Sequence, residues 1–229
     1  MEERDTQILD HIGRYTISIR AVIEDVFFAG GNSGNTLDRL AEQQLIQRVR
    51  NALNGNYSYY QLTAKGAKIR GLPPNKATGK RETGLAQNLA ALWFSCRGGF
   101  RRKRLNDDEL NTLCGIHRGG NVIHIAQDDS EEEAAVLRLF IPSEDTATKK
   151  NYITALKATA YDALKNERLS PWIERGTYRF AVLVHSQVRK DDLERLLHVS
   201  NFPRIRVLVD IAPTPSTLPL FISEDGDAS

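Results

Sequence analysis

Apolar residues recur at helical spacing three times before residue 46. Ile8, Leu9 and Ile12 share a face over residues 6–14, and Ile19, Val22, Ile23, Val26 and Phe27 share one from about Ser18 to Phe28. Gly30-Gly31 stops the second segment. After the Asn32-Ser33-Gly34 turn, "NTLDRLAEQQLI" directs Leu37, Leu40, Ala41 and Leu45 inward. Its other face shows Asn35, Thr36, Asp38, Arg39, Glu42 and Gln43. The period then changes. "IQRVRNALNGNYSYYQLT" reads as two short strands around Asn54-Gly55, residues that tolerate the positive φ of a hairpin turn. "AKGAKIRG" restarts a helix bearing Lys65, Lys68 and Arg70. This order predicts a winged helix-turn-helix domain over residues 1–72.

"GLPPNKATGKRETG" lacks periodicity and predicts a linker over 73–84. An α/β domain is expected over 85–222, opening with a helix that buries Leu85, Leu89, Leu92 and Trp93. Arg101 to Arg104 suit either a solvated edge strand or contact with a DNA backbone. Strands are expected at 121–129, 134–143, 178–186 and 204–212, with helices at 148–165 and 190–198. Strand-helix-strand over 178–212 implies parallel neighbours. Residues 223–229 read as an acidic tail. The whole is an α/β (α+β) chain whose second domain follows the order of a restriction-endonuclease-like core. Such nucleases hold magnesium with an Asp and an acid-x-Lys pair on adjacent strands. Here Arg138 stands where an acid is wanted, and no lysine follows. The expectation is a core without catalytic residues; a divergent nuclease would have to use Asp128, Asp129 and Glu133.

Charge sharpens the division. Net charge is +2 over 229 residues, but residues 1–104 carry +8 and residues 105–229 carry −6. A basic first half fits a polyanion. Asn, Thr and Arg on the third helix suit base edges: Asn35, Thr36, Arg39 and Gln43 are candidate readers. Arg48, Arg50, Lys65, Lys68 and Arg70 are candidate phosphate contacts. No apolar run reaches the length of a membrane span, and residues 1–20 carry acids rather than a leader's apolar block. Cys96 and Cys114 have no metal-ligand spacing and suit a reducing cytoplasm. Neither a metal nor another cofactor is expected.

The chain resembles the replication-relaxation family of plasmids and mobile elements. The likeness lies in "TISIRAVIEDVFF", "NTLDRLAEQQLIQRV" and "YYQLTAKG" for the winged-helix part. For the nuclease-like part it lies in "AVLRLFIPSEDT", "NYITALKATAYDALK" and "YRFAVLVHS". The resemblance implies double-stranded DNA as ligand, a role in replication, relaxation or mobilisation, and a relaxase or replication protein as partner. A second copy of the chain is a further expected partner. A winged-helix transcriptional regulator with a dimerising or sensing second domain is the alternative.

Overall fold

The computed structural model describes residues 2–79, 82–97, 101–117, 122–128, 134–142 and 150–226. Among these the chain is mixed α/β, with ten α-helices and two sheets. It divides into two compact units, one of residues 1–97 with 213–229 and the other of residues 98–212. No helix among the described residues is long and apolar enough to cross a membrane.

The first unit begins with α1 (Glu3–Tyr15), whose buried stripe holds Ile8, Leu9 and Ile12. The helix ends where Thr16 turns left-handed, at φ +75°. Ser18 and Ile19, expected in the second helix, instead form β1 (Ser18–Ile19), paired antiparallel with Tyr60 and Tyr59. Both are buried, and sheet pairing here overrides a helical pattern too short to resist it. α2 (Arg20–Phe28) and α3 (Gly34–Glu42) follow. Leu45, expected on the inner face of the third helix, lies beyond its end; Gln44 is left-handed at φ +58°, and the turn returns Leu45 to the core.

β2 (Ile46–Val49) and β3 (Tyr59–Leu62) pair antiparallel from Ile46↔Leu62 to Val49↔Tyr59. Asn54-Gly55 is therefore not a two-residue hairpin turn. It sits inside the longer connection 50–58, as part of a 3-10 turn at Asn54–Asn56. The sheet order is β1-β3-β2, with β3 central and buried at every residue. α4 (Ala64–Ile69) then packs back on the turn before β2, and "LTAKG" explains how. The Thr63 side chain accepts the Gly66 N–H at 3.0 Å, capping α4, and its hydroxyl donates to the Gln44 carbonyl. A Cβ at position 66 would lie 2.0 Å from the Leu45 carbonyl oxygen, so only glycine permits this approach.

The stretch expected to be a featureless linker is partly structured. Pro74–Ala77 form a 3-10 turn, and Leu72 and Ala77 pack on the core of Ile8, Leu9, Ile23 and Leu40. Lys80 and Arg81 lie outside the described residues. α5 (Glu82–Cys96), expected in the second domain, belongs to the first unit, where Leu85, Leu89, Leu92 and Trp93 join Tyr15, Ile17, Val22 and Tyr59. The chain also returns there at its other end. In α10 (Leu218–Gly226), Leu218 is fully buried in that cluster, and Phe221 meets Trp93 edge-on at 5.6 Å. The domain boundary expected at 85–222 is accordingly corrected to 98–212. Residues 227–229 of the expected acidic tail lie outside the described residues.

The second unit is a five-stranded sheet, β4 (Arg101–Arg104), β5 (Ile123–Asp128), β6 (Ala135–Phe140), β7 (Tyr178–Val184) and β8 (Arg206–Ile211), in that spatial order. β4, β5 and β6 form an antiparallel meander, while β7 and β8 add in parallel. Strands joined in parallel need crossovers. α7 (Lys150–Leu164) and α8 (Ser170–Glu174) connect β6 to β7, and α9 (Gln187–Val199) connects β7 to β8. α6 (Asp107–Cys114), before β5, completes the helices, its start fixed by a reciprocal Asn106–Glu109 capping box. Ile153, Leu156 and Ala160 of α7 and Leu193 of α9 bury Val136, Tyr178, Phe180 and Val182.

One buried polar pair gives the first unit a pH dependence. His11 is 9 % exposed and shares a 3.0 Å hydrogen bond with the buried Ser18 hydroxyl. Burial, reinforced by the Arg14 charge, lowers its pKa from 6.5 to about 4. The unfolded chain therefore binds the proton first. This contribution is complete above the unfolded pKa and is lost as pH falls from about 6.5 towards 4, a loss of about 3 kcal/mol. Urea denaturation followed from pH 7 to pH 4.5 should show that slope, and a His11→Phe chain should show it flattened.

Candidate nucleic-acid interface

α3 is the element expected to read DNA, and a cluster of hydrogen bonds on one carboxylate fixes its start. The Glu24 carboxylate of α2 accepts the Ser33 backbone N–H at 3.0 Å, the Ser33 hydroxyl at 3.1 Å and Arg20 Nε at 2.7 Å. Arg20 also donates to Asn32 Oδ1 at 2.8 Å, and the same oxygen accepts the Gly34 N–H at 2.7 Å. A carboxylate at a helix N-terminus satisfies donors that the helix itself cannot. Desolvation raises the Glu24 pKa, but the hydrogen bonds from Ser33 and Arg20 outweigh it and hold the group below its ordinary value. At its far end α3 is tied to α1, because Arg39 bonds Asp5 at 2.7 Å and Glu2 at 3.1 Å. The Asp5 side chain is only 2 % exposed, so this ion pair is half interior.

α3 exposes Asn35, Asp38 and Glu42, with Thr36 half-buried, and Gln43 is exposed just beyond its end. Leu37 and Leu40 face the core, and burying each contributes roughly 1.5–3 kcal/mol. Arg39 is already neutralised, so the outward charge of the helix is that of Asp38 and Glu42. Positive charge comes instead from neighbouring elements. Arg48 on β2, Arg50 just beyond it, and Lys68 on α4 are exposed and form no ion pair among the described residues. Lys65 is exposed and donates to the Gln43 carbonyl at 2.8 Å, closing the C-terminal end of α3.

Two of the candidate contact residues, Arg70 and Arg39, are engaged in ion pairs within the first unit. Arg70 grips both oxygens of Asp10, Nε at 2.7 Å and Nη2 at 2.8 Å, joining α4 to α1. Arg39 holds α1 to α3. The structure gathers Arg39, Gln43 and Lys65 around one groove with Glu2, Asp5, Leu45 and Ile69, and leaves Asn35, Thr36, Arg48, Arg50 and Lys68 outside it. The loop at Asn54 is also engaged. Its backbone N–H donates to the Pro215 carbonyl and its side-chain amide to the Ser216 carbonyl, both at 2.9 Å. Sequence reasoning missed Asp5, Asp10 and Glu24; Asp5 lies 34 positions from Arg39 and Asp10 lies 60 from Arg70, while Ser33 is nine from Glu24. Only the Arg20–Glu24 spacing of four was available as a signal.

In the second unit, Arg138 of β6 is in register with His124 of β5 and with Phe180 of β7. Its guanidinium lies 5.3 Å from the Phe140 ring centre. Burial pushes the Tyr178 hydroxyl up to about 12 against the opposing effect of Arg138. The two thiols are likewise shifted up by burial, Cys96 to about 12 and Cys114 to about 11, and have the character of inert interior groups. Among the described residues no three His, Cys, Asp or Glu side chains converge to hold a metal. Asp129, Glu131, Glu132 and Glu133 lie outside the described residues.

The Arg39–Asp5 tie makes a prediction opposite to that for a free surface arginine. Arg39→Ala leaves a buried carboxylate without its charged donor and should cost about 2 kcal/mol in chemical denaturation. Arg48→Ala, the control, should leave stability unchanged.

Comparison of the chain with family models, with curated proteins and with solved structures finds no match.

Proposed function

We propose that the chain is a non-catalytic, sequence-selective binder of double-stranded DNA, acting as an accessory protein in plasmid or mobile-element replication or mobilisation. The observation that carries the DNA reading is the topology of the first unit. Helix, strand, helix, helix, strand, strand, with the sheet ordered β1-β3-β2, supports a winged helix-turn-helix. In such a domain the third helix enters the major groove, and here its exposed Asn35 and half-buried Thr36 lie in the first turn. Asn pairs with the N6/N7 edge of adenine, and a Thr methyl packs on that of thymine. Arg48, Arg50 and Lys68 serve as phosphate contacts, while Arg39 and Arg70 hold the helices that present them. Asp38 and Glu42 on the same helix disfavour indiscriminate attraction to phosphate, which supports selective contact.

The mobile-element assignment rests on the family resemblance of the sequence. The meander β4-β5-β6 followed by two parallel strands supports a restriction-endonuclease-like second unit. The half-buried Arg138 of β6 stands where such a core carries its magnesium-binding acid, and its charge opposes a divalent cation. This is what supports the non-catalytic reading.

Selection from a random duplex library supplies the site, and anisotropy titration then tests it. Asn35→Ala should weaken binding to that site by about 1–3 kcal/mol and relax preference at one base pair. Undiminished affinity would remove α3 from the reading position.

The phosphate contacts are tested separately. Replacing Arg48, Arg50 and Lys68 together with Ala should reduce the slope of log K against log salt by about 0.9 for each phosphate no longer neutralised. A slope equal to that of the unaltered chain would place these cations away from the backbone.

A further inference from the structure

The two edges of the five-stranded sheet are chemically different. β4 carries Arg101, Arg102, Lys103 and Arg104 in succession, and a strand of one sign repels a second copy of itself. β8, at the other edge, has Arg206 at its start, Asp210 near its end and Val207-Leu208-Val209 between them. No strand lies on its outer side among the described residues.

The backbone phase of β8 is fixed by its successor. The Ala212 N–H donates to the Val184 carbonyl of β7 at 2.9 Å. Strand alternation then turns the peptide groups of Arg206, Leu208 and Asp210 towards β7 and those of Val207 and Val209 outward. Arg206, Leu208 and Asp210 project their side chains to one face. Leu208 is 36 % exposed, Arg206 is exposed and Asp210 half-buried. Arg206 is also in register with Arg179 of β7, so two like charges are neighbours on that face. The Asp210 Oδ1 accepts the Ile211 N–H at 2.8 Å, which leaves the carboxylate able to accept from a cation as well.

We propose that β8 is a homodimerisation edge, pairing antiparallel with β8 of a second copy about a two-fold axis through Leu208. The sequence of the strand is self-complementary in that register. Arg206 of each copy falls opposite Asp210 of the other, Leu208 opposite Leu208, and Val207 opposite Val209. The phase agrees, because Val207 and Val209 are the residues with outward N–H and C=O groups, and each facing pair exchanges two hydrogen bonds. Opposite charges meet across the strands, and each Arg206–Arg179 neighbourhood gains a carboxylate. A surface that contacts its own copy reciprocally closes as a dimer, leaving no free β8 edge to propagate. β8 and α3 belong to different units, and the test of this edge requires no DNA.

Sedimentation equilibrium of the full chain should show a monomer–dimer equilibrium in the micromolar range. Arg206→Asp or Asp210→Arg alone sets like charges opposite each other twice per dimer and should raise the dissociation constant at least about tenfold. The double change Arg206→Asp/Asp210→Arg restores both pairs and should recover dimerisation. Leu208→Cys should cross-link under mild oxidation, since residues in a non-hydrogen-bonded antiparallel pair have Cα atoms about 4.5 Å apart. Val207→Cys, which faces Val209 of the second copy, should not. A chain that remains monomeric overturns the proposal. So does a dimer indifferent to both single charge changes in which the Leu208→Cys variant fails to cross-link. Should a charge variant misfold by circular dichroism, cross-linking of the Leu208→Cys variant decides alone.

Discussion

The direction of α3 depends on one carboxylate. Glu24 takes the Ser33 N–H, the Ser33 hydroxyl and the Arg20 guanidinium together. Arg20 in turn holds Asn32, whose side chain accepts the Gly34 N–H, so the whole start of α3 is organised around Glu24. Short helices gain little from propensity, and α3 has only nine residues. Its position is therefore set by tertiary ties: Glu24 at one end, Arg39 to Asp5 along its length, and Lys65 on the Gln43 carbonyl at the other. Each tie engages a charged group, and between them Asn35 and Thr36 stay available. A base-reading surface needs that rigidity, because a bidentate contact tolerates little displacement of the side chain.

The local part of this arrangement is legible in the sequence. Leu37 and Leu40 fix the inner face of α3, and the aromatic run "YYQL" marks a strand. "LTAKG" combines a capping threonine with a glycine that admits the Leu45 carbonyl. What is not legible is what distance in the chain conceals. Arg39 looks like a surface reader until Asp5, 34 positions earlier, is folded beneath it. Asn54-Gly55 looks like a tight turn, yet the register Val49↔Tyr59 leaves a long connection whose tip is bound by Pro215 and Ser216. α5 shows a helical pattern but no sign of which unit it serves. The start of α6 does carry a readable signal, since Asn106 followed three residues later by Glu109 is a capping box.

In the second unit the placement of charge follows the position of each strand. β7, interior to the sheet, is almost wholly apolar, as a parallel strand buried on both faces must be. Charge collects on the flanking strands, of one sign on β4 and of both signs on β8. Within the sheet the half-buried Arg138 of β6 is held against Phe140 and close to Tyr178. The two units thus divide the proposed work, one presenting polar groups to a duplex and the other offering an edge to a second copy.

If α3 is the reading element, position 35 meets DNA and position 54, at the tip of the 50–58 connection, does not. A photo-cross-linking amino acid placed at position 35 or at position 54 of the full chain, irradiated with the selected duplex, distinguishes the two. Protein–DNA adducts are expected from position 35 and none from position 54, whose backbone and side chain are engaged by residues 215 and 216. Adducts from position 54 with none from position 35 would contradict α3 as the reading helix.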